Sequence, residues 1–214
     1  MTKTFVIAMD NEAKCVSDNM EGLSEERVFG RRVLCGRLGG ADALVVVSGV
    51  GKSNAAAATQ LALNLTGADE IVNFGVAGGL DPSMKVGDVY EVSDAVQYDF
   101  DLCQINGTEM GTLNERTTPF IPCAPTGAFP ARRLGTGDRF NDSAADESLL
   151  LGMGVALRDM EGAAIAHVCE TAGVRLRSVK CVSDVRGAGS MPGQYMENLR
   201  RCLAIMTAGA PKWF

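Results

Sequence analysis

The sequence predicts an α/β protein built on a layered sheet. Short apolar runs rich in Val and Ile alternate with alanine-rich stretches of helical spacing, the pattern of strands covered by helices. The 25 glycines fall at the ends of those runs and not in one tract, so they read as turns. With 214 residues against roughly 150 for a typical domain, one domain spanning 1–214 is expected.

Taken in order, 3–8 opens the chain with Phe5-Val6-Ile7, too short for a helix and apolar enough for a buried strand. The run 43–47, Ala-Leu-Val-Val-Val, is a second strand, and the alanines of 53–64 predict a helix after the turn at Gly49 and Gly51. The runs 70–74, 88–92 and 177–182 repeat the strand pattern, and 160–171 and 194–208 the helical one. The segment 98–130 carries several prolines and glycines without a sustained period, which predicts a long loop with at most a short strand.

Hydrophobic residues make up 46% and charged residues 21%, enough apolar material for a core and too little charge for disorder. Twenty Lys and Arg against 26 Asp and Glu leave a net charge of −6, the wrong sign for a non-specific grip on nucleic acid or an anionic membrane. No apolar stretch is long enough to span a bilayer, and the N-terminus has no export-signal pattern. The seven cysteines are odd in number and form no C-x-x-C pair, which suits a reducing cytoplasm. A single histidine, His167, removes the multi-histidine metal sites, so carboxylates must carry most of any acid–base chemistry; no metal or organic cofactor is expected. His167 itself reads as a packing residue.

Several local features bear on chemistry. Gly51-Lys52-Ser53 ends like a phosphate-binding loop, but that loop needs glycine where Val46 stands, and the dinucleotide fingerprint needs it where Asn54 stands. The turn is therefore read as a strand-to-helix connection with a solvated Lys52. A second cluster, Gly75-Val76-Ala77-Gly78-Gly79, follows a strand, where small residues let a ligand approach the backbone. Glu161 opens a helix, where the dipole favours a carboxylate on structural grounds alone. Asp184 ends an apolar strand, where an N-cap role is the local alternative, and Glu12 reads locally as a solvated carboxylate after the first strand.

Taken together these features form an ordered set: A-M-x-x-E at 8–12, S-G-V-G-K-x-N-A-A at 48–56, G-x-A-G-G-L at 75–80 and K-V-G-D-V at 85–89. It continues with T-G-D-x-F at 136–140, D-M-E-G-A-A-I-A-H-V-C at 159–169 and V-S-D-V at 182–185. The set resembles the purine nucleoside phosphorylase/nucleosidase superfamily, and within it the methylthioadenosine/S-adenosylhomocysteine nucleosidases. The resemblance implies a three-layer α/β/α fold with a central, mostly parallel, twisted mixed sheet. It also implies hydrolysis of the N-glycosidic bond of a 5′-modified purine nucleoside such as methylthioadenosine, S-adenosylhomocysteine or 5′-deoxyadenosine.

Such a reaction creates an oxocarbenium-like sugar and an electron-rich leaving base, so it needs an acid near the purine and negative charge near the ribose. By resemblance Asp184 is the general acid at purine N7, oriented by Ser183. Glu161 accepts from the ribose hydroxyls, with Met160 packed on the sugar, and Glu12 activates the attacking water. Phe140 stacks on the purine, and Asn141, Ala77 and Gly78 supply neighbouring groups. Met9 and Val50 line the 5′-pocket and Tyr195 closes it. Leu102 and Ile105 match positions that serve the partner's pocket in related enzymes, which implies a homodimer binding a small purine nucleoside.

Two positions depart from the family pattern. Val76 stands where the nucleosidases have Ser or Thr, and Lys180 where they have Arg; both family residues help place the water, and Lys180 lacks the guanidinium fork. The phosphorylase branch would need an arginine where Asn73 stands, which favours hydrolysis over phosphorolysis. Futalosine hydrolase, a purine nucleoside phosphorylase and a nucleoside-binding protein with weak turnover are the alternatives.

Overall fold

The structure, a computed structural model, describes residues 2–140 and 143–214. β1 (Lys3–Ile7) buries Phe5, Val6 and Ile7 completely, which is what holds so short a run as a strand. α1 (Asp10–Ser17) follows at once, with Asp10 and Glu12 in its first turn. β2 (Glu21–Val28) and β3 (Arg31–Leu38) form a hairpin that turns through Phe29 and Gly30, and β4 (Ala41–Val47) runs back beside β3. α2 (Lys52–Thr66) starts after Gly51, whose φ of +100° disfavours any residue with a side chain.

β5 (Glu70–Gly79) and β6 (Val89–Gln97) come next. α3 (Cys103–Asn106) and β7 (Ile121–Pro122) are short elements inside the expected long loop. β8 (Ala131–Thr136), α4 (Ala144–Gly152), β9 (Leu157–Asp159), α5 (Gly162–Thr171), β10 (Arg175–Val185) and α6 (Met191–Trp213) complete the chain. The run expected at 177–182 is the middle of β10, buried from Leu176 through Val185 because other elements cover both faces.

The strands join in the order β10-β6-β8-β9-β5-β1-β4-β3-β2, with β7 on β6. β1 lies parallel between β4 and β5, and β5 continues parallel to β10. Antiparallel pairs join β2, β3 and β4 at one edge and β10 to β6 and β5 to β9 at the other end, so the sheet is mixed. Because β10 pairs with β6 as well as β5, the path through β6, β8 and β9 closes on itself.

Helices cover two faces, as the three-layer expectation requires. α2 and α5 pack together over a core containing Val6, Val46, Ile71 and Val182, while α1 and α6 pack over Phe5, Ile7, Phe74 and Val179. Trp213 and Phe214 meet Phe74 edge-on and close the second core. Asn73 is spent inside this structure: its amide donates to Val6 O at 3.1 Å and accepts from Ser178 Oγ at 3.0 Å. The carboxyl ends of β1, β4, β5 and β10 point the same way, and open α/β sheets bind ligands at that end. Among the described residues no helix is long and apolar enough to cross a membrane.

Candidate active site

A cavity of about 400 Å³ opens at these strand ends, and Glu12, Glu161 and Asp184 all line it. Each carboxylate arrives on a different element and each is at least nine-tenths buried.

Glu12 sits in the first turn of α1, and its carboxylate folds back over the helix start. Oε1 accepts from Val76 N at 2.8 Å and Oε2 from Met9 N at 3.2 Å. The space it fills exists because residue 75 is glycine: a Cβ there would stand 2.7 Å from Glu12 Oε1. Burial pushes the Glu12 carboxyl up to about 7, against the opposing pull of the Val76 amide and the Lys180 ammonium.

Glu161 caps the start of α5, and its Oε1 accepts from Gly51 N at 2.8 Å. The amides at the start of α2 thus bind carboxylates: Gly51 holds Glu161 and Lys52 N holds Asp138 at 2.8 Å. Lys52 is not a solvated side chain, since its ammonium pairs with Asp99 at 2.5 Å. Burial first, then the neighbouring Asp159, pushes Glu161 up to about 7. Asp159 in turn is held by Thr136 Oγ1 at 2.5 Å, by Gly162 N at 2.9 Å and by Lys180 Nζ at 2.8 Å.

Asp184 lies near the end of β10, just past a register shift against β5. Ser183 Oγ donates to its Oδ1 at 2.7 Å, and a Cβ on Gly78 would stand 2.7 Å from its Oδ2. The remaining wall is apolar and aromatic except for Arg139, Arg158, Asp159 and Ser183. Phe140 meets Tyr195 edge-on at 5.3 Å between centroids, and Tyr195 Oη donates to Met9 Sδ at 3.4 Å. Three carboxylates and an aromatic pair around one cavity suit a ligand with a flat ring and several hydroxyls.

A sequence model of the phosphorylase superfamily matches residues 3–206. A 5′-methylthioadenosine/S-adenosylhomocysteine nucleosidase of Halalkalibacterium halodurans is 32% identical over 203 residues, covering 88% of this chain and 87% of that protein. The chain belongs to this nucleosidase family of the phosphorylase superfamily. The crystal structure of the Neisseria meningitidis nucleosidase in complex with methylthio-immucillin-A superposes with a TM-score of 0.87 at 25% identity, covering 98% of this chain and 97% of that one. The futalosine hydrolase of Helicobacter pylori shares the fold at a TM-score of 0.87 and 20% identity, covering 97% and 94% of the two chains.

Of the residues expected at the site, Asp184, Glu12, Glu161, Met160, Phe140, Ser183, Met9, Val50, Val76, Ala77, Gly78 and Tyr195 all line the cavity. Lys180 does not; it is 2% exposed and directed at Asp159. Leu102 is half-buried and Ile105 is 81% exposed on α3, and neither lines the cavity of its own chain. Asn141 lies outside the described residues. His167 is not a packing residue: it is partly exposed and pairs with Glu115.

Arg158, Arg139 and Tyr98 line the cavity without having been singled out. For Arg158 a signal existed, since it directly precedes the Asp159-Met160-Glu161 motif. Tyr98 stands at the border of the long loop, and no sequence pattern marks it.

Proposed function

We propose that this chain hydrolyses the N-glycosidic bond of 5′-modified purine nucleosides of the methylthioadenosine and S-adenosylhomocysteine kind, releasing the free base and the ribose derivative. The observation that carries this reading is the convergence of three buried carboxylates from α1, the start of α5 and the end of β10 on one cavity with an aromatic wall.

In this reading Asp184 protonates the base at N7 as the C1′–N9 bond breaks, with Ser183 fixing its orientation. Glu161 accepts from the ribose hydroxyls and its charge favours the cationic sugar. Glu12, anchored by two backbone amides, takes the proton of the attacking water, and a carboxyl near 7 is well matched to a base working at neutral pH. Phe140 and Tyr195 hold the ring and the 5′-group.

Water is favoured over phosphate as the acceptor because Asn73, where the phosphorylase branch would need an arginine, is committed to Val6 and Ser178. Leu102 and Ile105 would complete the pocket of a second copy, which makes a homodimer the working assembly. The seven cysteines are free thiols, which supports a reducing, cytoplasmic setting.

The test is free base released from methylthioadenosine, S-adenosylhomocysteine, 5′-deoxyadenosine, adenosine, inosine and futalosine, with and without inorganic phosphate. Phosphate-independent release is expected. Release only with phosphate would move the chain to the phosphorylase branch, and saturable binding with no product would leave a nucleoside-binding protein.

A further inference from the structure

The turn Gly51-Lys52-Ser53, which ends like a phosphate-binding loop without being one, grips carboxylates of the chain itself. Gly51 N donates to Glu161 Oε1, beyond β9, and Lys52 N donates to Asp138 Oδ1, beyond β8, both at 2.8 Å. The side chain of Lys52 adds a third link. Its ammonium pairs with Asp99 Oδ1 at 2.5 Å, and the other oxygen of that carboxylate accepts from Asp138 N at 3.0 Å. The side chains of Lys52 and Asp99 are 18% and 11% exposed, so solvent screens the pair only in part.

The segment held in this way, 137–140, runs from the end of β8 to Phe140 outside any helix or strand. Gly137 N donates to Asp159 O at 3.2 Å, and Asp138 is held twice, by its amide on Asp99 and by its carboxylate on the start of α2. Phe140 itself is 47% exposed and meets Tyr195 edge-on. A ring with so much open surface takes its position from the backbone that carries it more than from packing.

We propose that Lys52 is a positioning residue for the base: by holding Asp99 it holds the amide of Asp138, and through it sets Phe140 at the purine face. This role rests on the reading that Phe140 stacks on the base. Without the ammonium, the Asp99 carboxylate would be left partly buried and uncompensated, and it would swing toward water and release Asp138 N. The grip on Glu161 comes from the Gly51 backbone and survives any change of the Lys52 side chain. The loss therefore falls on base binding, while Asp184, Glu161 and Glu12 keep their places for the bond-breaking step.

The experiment titrates adenine calorimetrically into the full chain, Lys52→Met, Phe140→Ala and the double variant, and measures kcat and KM for base release from methylthioadenosine. Lys52→Met should weaken adenine binding by about tenfold and raise KM by a similar factor, with kcat within about threefold of the unaltered chain. In the Phe140→Ala background the same change should weaken adenine binding by less than about twofold, because the ring through which Lys52 acts is gone. An equal weakening in both backgrounds, no weakening in either, or a fall in kcat with KM unchanged overturns the proposal. Asp99→Ala cuts the same link at its other end and carries the same comparison if Lys52→Met does not fold; adenine binding by Asp99→Ala as tight as that of the unaltered chain overturns the proposal too. Adenine binding without base release by the unaltered chain overturns the hydrolase reading alone, and the adenine comparison still decides the role of Lys52. No adenine binding by the unaltered, cooperatively folded chain overturns the base-stacking reading and the proposal with it.

Discussion

Lys180 Nζ lies 2.8 Å from Asp159 Oδ2, and both side chains are 2% exposed. Burial by itself would lower the pKa of this lysine, but Asp159, Glu161 and Glu12 around it hold the ammonium above its ordinary value. Its effect on the site is thus electrostatic: it balances a cluster of acids from behind, where the sequence pointed to a residue that places water. Lys180→Met removes the cation and leaves Asp159 charged in the interior. The loss should be about 3–5 kcal/mol in urea denaturation, and Asp159→Asn added to it should recover a large part. A loss under about 1 kcal/mol would show that the pair does not hold the site together.

Asp184→Asn keeps the shape and the Ser183 contact but removes the transferable proton. A fall in kcat of about 10²–10⁴ is expected, with substrate affinity changed far less. Single-turnover base release and equilibrium binding separate the two quantities. Near-normal turnover in this variant would strip Asp184 of the acid role.

The positions of the three acids were legible because each sits beside a signal: Glu12 after the first strand, Glu161 at an alanine-rich helix, Asp184 at a strand end. Their environments were not. Glu12 reads as a solvated carboxylate from its own neighbours, and only the vacancy at Gly75 on β5 and the amide of Val76 explain why it is buried. Arg158 directly precedes a legible motif, but its place on the cavity wall comes from the register of a three-residue strand against Gly78, which that motif does not encode. The β2–β3 hairpin escaped for a different reason: Glu21, Glu25, Glu26 and Arg27 lie on an exposed edge strand, with no buried face to impose an alternating pattern.

Gly75 offers a test of packing against chemistry. Its backbone is not in the left-handed region, so Gly75→Ala is conformationally allowed, but the new methyl would meet Glu12 Oε1. The variant should keep its secondary structure by circular dichroism while kcat falls about 10–100-fold, because the carboxylate must leave its anchoring amides. Unaltered kcat would mean that the position of Glu12 does not limit the reaction.

The activity should depend on pH on its acid side. Glu12 must be ionised to accept a proton and Glu161 to favour the sugar cation, and both carboxyls lie at about 7. kcat/KM should therefore fall as pH drops below about 7, and the fall should steepen where both are protonated. Stopped assays from pH 5 to 8 would reveal it, and a flat profile would remove both groups from the chemistry.

Stability should move the opposite way. A carboxyl raised from 4.5 to about 7 in the folded state binds more protons than its unfolded counterpart between those values. Folding stability is therefore lost as pH rises from about 4.5 to about 7, and the penalty is complete above that range. The unaltered chain should melt higher at pH 5 than at pH 8, as far as these groups decide it. Glu161→Gln carries no charge to bury, so it should flatten the trend and raise the melting temperature at pH 8, by about 2–4 °C for each kcal/mol relieved. A melting temperature for Glu161→Gln at or below that of the unaltered chain at pH 8 would mean that the Gly51 amide and Lys180 already offset the buried charge in full.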